Sequence, residues 1–181
     1  MPATTIPDLL RDAAAKFGNR VALRQPDGKE VHTWTWNEYL RAAEEIAAGL
    51  KALGIGKGDH VALCSETRAE FYLADLGVLT NGSVAAALYP GYPAEDLKRT
   101  IAMADAKALF VEDFKMLRKL GSLEDLNLRL IVVLAGEVPP GTSGGATSMS
   151  ALRTHGRYVA GISPDDNAIL YLTSGATGEP K

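Results

Sequence analysis

The chain has 181 residues, of which 46% are hydrophobic and 23% charged, with a formal net charge of -3. That balance excludes a disordered polyelectrolyte and allows one buried core, or a share in a larger one. The weak acidity and the lack of a lysine and arginine block give no electrostatic footprint for nucleic acid or for an anionic membrane surface.

Cys64 is the single cysteine, so an internal disulfide cannot form and a reducing compartment is expected. It stands in the apolar run Val61-Ala62-Leu63-Cys64 and reads as a small packing residue. The N-terminal residues lack the basic and apolar regions of a signal peptide, and no apolar run has bilayer-spanning length. A cytoplasmic location is the expectation. No zinc-ligand spacing, heptad or internal repeat is present, and no metal-binding residue is assigned.

The first predicted element is a helix over 6–17, with Leu9, Leu10, Ala13, Ala14 and Phe17 on one face and Gly18 as its stop. Residues 21–24 and 31–35 flank Pro26-Asp27-Gly28 and predict a β-hairpin. Alternation there sets Trp34 and Trp36 on one face, where packing is the simpler reading and a ligand shelf the sharper one. His32 reads as an ordinary strand residue. Thr35-Trp36-Asn37-Glu38 has the spacing of a capping box and opens a helix through Leu40, Ala43, Ile46, Ala47, Leu50 and Leu53, stopped by Gly54.

From Val61 onwards strands and helices alternate. Strands are predicted at 61–64, 84–88, 108–111 and 128–134. Between the first two, a second capping box, Thr67-Arg68-Ala69-Glu70, is expected to open a helix that Gly82 terminates. Pro93 is placed as the first residue of the next helix, whose Leu97, Ile101 and Ala104 face inward while Glu95, Asp96, Lys98 and Arg99 form a solvated face. A short helix is predicted around 114–120. The strands are apolar along their whole length, as strands covered on both faces would be. The fold class is therefore α/β: a doubly wound, largely parallel sheet with flanking helices, preceded by an N-terminal helix and a β-hairpin.

Residues 135–150 break the pattern with four glycines and two prolines and are expected to form a mobile surface loop within the domain. A turn of helix is predicted near Ser150 to His155, and His155 has no neighbouring ligand type. Ser163-Pro164-Asp165-Asp166 turns the chain into 168–172, an apolar run with the look of a buried strand.

The chain then changes abruptly to Thr173-Ser174-Gly175-Ala176-Thr177-Gly178-Glu179-Pro180-Lys181. Glycines permit the concave backbone that aims successive N–H groups at an anion. Thr173, Ser174 and Thr177 add hydroxyl donors, and Lys181 adds a mobile positive charge suited to phosphate. The spacing differs from GxxxxGK[ST]. Composition alone would equally describe a polar surface turn.

The order Thr-Ser-Gly-x-Thr-Gly-x-Pro-Lys resembles the signature loop of the adenylate-forming enzymes, which include acyl-CoA synthetases, peptide-synthetase adenylation domains and luciferase. Ala176 departs from the family's usual Thr or Ser and removes one hydroxyl. Further likeness lies in Thr35-Trp36-x-Glu38-Tyr39, in the stretch Gly58-Asp59-His60-Val61 through Ser65-Glu66-Thr67-Arg68-Ala69-Glu70-Phe71, and in Leu88-Tyr89-Pro90. These resemble the N-terminal part of a bacterial long-chain fatty-acyl-CoA synthetase, so that residues 1–181 correspond to an incomplete N-terminal portion of an AMP-binding domain. The resemblance implies ATP, Mg²⁺, CoA and fatty acid as the partners of a complete enzyme, and a two-step reaction through an acyl adenylate. It makes Thr173, Ser174, Gly175, Ala176, Thr177, Gly178 and Lys181 the nucleotide-binding residues. It places no catalytic residue in this chain, which is not expected to be active alone. It leaves open peripheral membrane association, and a dimer through an exposed sheet edge near 168–172. Two alternatives stand beside it: a fatty-acyl-AMP ligase or other adenylation enzyme, and a short non-catalytic binding protein that keeps the fold.

Overall fold

Local signals start the chain. In the computed structural model, which describes residues 3–142 and 145–172, helix α1 (Ile6–Phe17) is opened by a reciprocal cap between Thr5 and Asp8. Strands β1 (Val21–Asp27) and β2 (Glu30–Thr35) pair antiparallel around Gly28, which takes a positive φ of 60°. Helix α2 (Trp36–Ala52) begins with the predicted capping box. The Thr35 amide donates to Glu38 Oε2 at 2.7 Å and the Glu38 amide to Thr35 Oγ1 at 3.2 Å.

Strands β3 (His60–Cys64), β4 (Val84–Leu88), β5 (Ala108–Val111), β6 (Leu130–Val133) and β7 (Thr147–Ser148) form one parallel sheet in the order β4-β3-β5-β6-β7. Helices α3 (Ala69–Thr80), α4 (Ala94–Met103), α5 (Phe114–Leu120) and α6 (Met149–Leu152) complete the described elements. The doubly wound α/β architecture read from the sequence is the one observed.

Strand alternation divides the core into two layers. Val61, Leu63, Ala85, Ala108, Phe110, Leu130 and Val132 face a cluster built with α1, α2, α3 and α6. Ala62, Cys64, Ala86, Leu109, Val111, Ile131 and Val133 face the opposite cluster, built with α4 and α5. Every described residue of β5 and β6 is buried, as expected of strands covered on both sides.

Several expectations are corrected. Trp36 does not share a strand face with Trp34; it opens α2, where its ring lies 5.8 Å from Phe17 and 6.3 Å from Tyr39. Helix α3 starts at Ala69 after Arg68, and no side chain of the Thr67–Glu70 box caps it. Pro93 is the N-cap of α4 rather than its first residue. Leu9 and Leu53, placed inward by periodicity, are 59% and 40% exposed, because α1 buries only a narrow stripe at Leu10 and Ala14 and Leu53 lies past the end of α2. The 135–150 segment is not loop throughout: it contains β7, which extends the sheet beside β6, and the start of α6.

Helices α2 and α3 approach closely at Gly77. A Cβ there would meet Ile46 Cγ2 at 2.4 Å and Ile46 Cβ at 2.6 Å, near the stem of a fully buried side chain with no room to turn away. Gly77→Ala is expected to destabilise the protein by about 1–3 kcal/mol despite the better helix propensity of alanine. Chemical denaturation should also show partial recovery when Ile46→Ala is added. Additive losses would mean that the two positions do not share a contact.

Tyr39, buried under α3, donates its hydroxyl to the carbonyl of Tyr72 at 3.2 Å. Burial, reinforced by the negative charge of Asp75, drives its phenol pKa upward. Burial likewise pushes Asp75 up to about 6. Between about pH 4 and pH 6 the folded chain therefore holds a proton that the unfolded chain releases, and stability falls as pH rises through that window. Asp75→Asn should flatten this slope and stabilise the protein by about 1–2 kcal/mol at pH 7, the full shift being discounted for partial exposure. Denaturant midpoints at pH 4.5 and 7 check this (roughly the two ends of the titration); an unchanged slope would assign the effect elsewhere.

Candidate functional site

A parallel sheet gathers the loops that follow its strands along one edge, and ligands in such folds bind outside the carboxyl ends, where the winding changes direction. Here the chain leaves β3 for β4 on one side and returns to β5 on the other. The switch point therefore lies between the ends of β3 and β5.

Side chains from both strand ends meet there. The Glu66 amide, just after β3, donates to Glu112 Oε2 at 2.9 Å, just after β5. Arg68 donates through Nε to Glu70 Oε2 at 2.8 Å and pairs through Nη1 with Glu112 Oε1 at 3.5 Å. The hydrogen bond that Arg68 donates to Glu70, with the charges of the Glu70 and Glu112 carboxylates, raises the Arg68 pKa further and keeps the guanidinium charged. The Ala69 amide at the start of α3 donates to Gln25 Oε1 of the hairpin at 2.9 Å. Gln25 thus satisfies the helix end that the local Thr67–Glu70 pattern was expected to satisfy.

The loop after β4 presents Tyr89 and Tyr92 to solvent, 62% and 48% exposed, in an edge-to-face pair 5.3 Å apart. Lys119 of α5 fixes this loop by donating to the carbonyls of Pro90 at 2.7 Å and Tyr92 at 2.8 Å. Cys64, at the end of β3, is buried, and burial pushes its thiol up to about 11, which removes it from nucleophilic chemistry. His32 and His155 are exposed. Among the described residues, no group of three or more His, Cys, Asp and Glu is placed to hold a metal ion. No described helix is long and apolar enough to cross a membrane.

The predicted nucleotide-binding residues Thr173, Ser174, Gly175, Ala176, Thr177, Gly178 and Lys181 lie outside the described residues. Their approach is described. Ile169 pairs in parallel with Ala85: the Ala85 amide donates to the Ala168 carbonyl at 2.9 Å and the Leu170 amide to the Ala85 carbonyl at 2.8 Å. At Leu172 the chain is therefore running with β4, toward the carboxyl ends of the strands.

This contact corrects the expectation of a buried strand at 168–172. It is an isolated bridge beside β4, with Ile169 39% and Tyr171 79% exposed and Leu170 and Leu172 packed against the second core cluster. The run is apolar on both faces, but Ile169 and Tyr171 are left exposed. Sequence reasoning also missed the Glu66–Arg68–Glu112 junction and the reach of Gln25. The acidic residue just after strand 108–111 was a usable signal; nothing local pointed to Gln25.

A family profile described as AMP-binding enzyme matches residues 10–181. A long-chain-fatty-acid–CoA ligase of Xenopus laevis is 25% identical over 191 residues, covering 100% of this chain and 26% of that protein. An uncharacterised protein of Mycobacterium tuberculosis is 35% identical over 109 residues, 60% of this chain and 61% of that protein. The crystal structure of a long-chain-fatty-acid–CoA ligase from Archaeoglobus fulgidus superimposes with a TM-score of 0.84 at 22% identity, over 98% of this chain and 35% of that one. The chain thus spans about a quarter of the Xenopus ligase and about a third of the Archaeoglobus one. With the match extending over nearly its whole length, the chain belongs to the AMP-binding enzyme family.

Proposed function

We propose that this chain is the N-terminal, phosphate-loop-bearing part of an ATP-dependent long-chain fatty-acid–CoA ligase. The observation that carries the reading is the parallel bridge between Ala85 and Ile169, which directs the described chain, up to Leu172, toward the carboxyl ends of the strands immediately before the Thr-Ser-Gly-x-Thr-Gly sequence begins. In this reading the fatty-acid carboxylate attacks the α-phosphorus of ATP, forming the acyl adenylate while pyrophosphate leaves. The CoA thiolate then attacks the acyl carbonyl, forming the thioester and releasing AMP.

The chain's own share is to hold the departing phosphates. Thr173, Ser174 and Thr177 offer hydroxyl donors, the backbone at Gly175, Ala176 and Gly178 offers N–H groups, and Lys181 balances charge that grows as pyrophosphate separates. Mg²⁺ would neutralise phosphate charge in such a reaction, but the described carboxylates form no set that fits it, and no step is assigned through it. The chain by itself is read as inactive. The reading places the protein in the cytoplasm and leaves the exposed edge at Ile169 and Tyr171 available for self-association.

In the full protein, Lys181→Ala should lower fatty-acid-dependent ATP–pyrophosphate exchange by about 10²–10³-fold, the scale of a lost donor to developing charge. Fatty-acid affinity should be unchanged. Equal losses in both would remove Lys181 from the phosphates. Ala176→Thr adds a hydroxyl and should leave exchange equal or higher; a large drop would mean that the loop does not present this position to phosphate.

The second reading, a short binding protein, draws support from the Mycobacterium tuberculosis relative, which is small enough that 109 residues make up 61% of it. Titration of the 181-residue chain with ATP separates the two. Micromolar binding without exchange activity in any longer product would favour the binding protein.

A further inference from the structure

Between α6 and the bridge at Ile169, residues 153–168 form neither helix nor strand. This stretch is nonetheless tied down along its length. Leu152, at its head, is fully buried against Gly49 of α2, where a Cβ would come within 2.2 Å of the Leu152 carbonyl oxygen. Arg153 donates from Nε to Glu45 Oε2 at 2.9 Å and pairs through Nη2 at 2.7 Å. Arg157 pairs with Glu44 through Nε and Nη2. The Tyr158 amide donates to the Glu44 carbonyl at 3.1 Å, and the Lys51 ammonium sits 3.7 Å from the centre of the Tyr158 ring. The Ala160 amide then donates to the Thr80 carbonyl at 3.0 Å. Lys57 binds the Gly161 carbonyl at 2.9 Å and Asp166 at 2.6 Å. The next contact is the bridge to Ala85.

The carboxylates that Arg153 and Arg157 clasp are built into α2 rather than laid on the surface. Glu44 and Glu45 are 8% and 9% exposed, and both lie on the helix that spans the first core layer. A nearly buried carboxylate is tolerated only with a partner, while a paired one adds little net stability over an apolar residue. Such pairs select one arrangement of the chain more than they stabilise the whole. What they select here is where residue 168 arrives. A one-residue slip would exchange Leu170 and Leu172 for Ile169 and Tyr171 against the core.

We propose that Arg153 and Arg157 are positioning residues. By clasping Glu45 and Glu44 they fix the register of 168–172 on β4, the stretch from which the chain enters the nucleotide-binding sequence at Thr173. This inference rests on the reading of 173–181 as a phosphate loop. It concerns different residues from that loop and has a readout independent of nucleotide.

The test uses Arg157→Ala and the double variant Arg153→Ala/Arg157→Ala in the full protein, with Arg157→Lys as the charge-conserving control. Hydrogen exchange is followed at the Leu170 amide and, as an internal reference, at Phe110 in the centre of the sheet. Protection at Leu170 should fall by about tenfold or more with Phe110 unchanged, and the KM for ATP in pyrophosphate exchange should rise by about tenfold while fatty-acid affinity holds. Arg157→Lys should recover part of both effects. Unchanged protection at Leu170, or equal loss at Leu170 and Phe110, overturns the proposal, the second result marking a merely structural role. Loosening at Leu170 with an unaltered KM also overturns it where Lys181→Ala impairs exchange. Should Lys181→Ala leave exchange intact, the phosphate-loop reading fails, and the positioning claim that depends on it falls even if Leu170 is loosened.

Discussion

The constraint on which this structure depends is that β3 is buried on both faces. Val61, Ala62, Leu63 and Cys64 are all fully inaccessible. A strand in that position must have helices above and below and a strand on each side, because its backbone and both sets of side chains are cut off from water. The chain meets this demand by placing β4 on one side, crossing back, and placing β5 on the other. Changing sides creates a gap between the loops at the carboxyl ends of β3 and β5. The same requirement that buries β3 therefore generates the switch point, and the polar junction of Glu66, Arg68 and Glu112 links the two loops there.

Charged groups follow a consistent logic around this apolar centre. Glu44 and Glu45 are nearly buried, yet each accepts from an arginine. Burial works to raise the Glu45 pKa, but the hydrogen bonds and charges of Arg41 and Arg153 together outweigh it and leave the carboxyl below its ordinary value. Asp75 shows the opposite case. Burial dominates there, and its pKa moves up instead. Glu45 and Asp75, a carboxylate on α2 and another on α3, thus diverge because arginine side chains reach only the first.

Much of the fold was legible because its signals are local. The Thr35–Glu38 box holds both partners within one helical turn, and the apolar runs of β3, β5 and β6 announce double coverage directly. The identical pattern at Thr67–Glu70 misled because Arg68 captures Glu70, while the vacant helix end is met by Gln25, 44 residues earlier. Glu44 and Glu45 carry no local signal of their pairing, because their partners lie 113 and 108 residues away. The 168–172 run misled for a related reason: apolar character says that a face can be covered, not that anything in the chain covers it. The reading of 173–181 as an anion loop rests on residue types and order alone, since those residues lie outside the described ones. What anchors its approach was not legible, since the anchors are long-range pairs.

A glycine-rich anion loop has an inherent weakness, because the residues that let its N–H groups converge also lose the most conformational entropy when fixed. Gly175 and Gly178 contribute no side chains to hold the loop by packing. Order must therefore come from the chain on either side. Upstream, a regular buried strand would supply it through a full ladder of hydrogen bonds, but here the approach has one bridge and two backbone bonds to Ala85. The missing restraint is supplied farther back, by paired charges set into α2, the Lys57–Asp166 pair and the seat of Leu152 on Gly49. The irregular stretch 153–168 is in this sense a structural element: it ties the first core layer to the edge strand at Ala85.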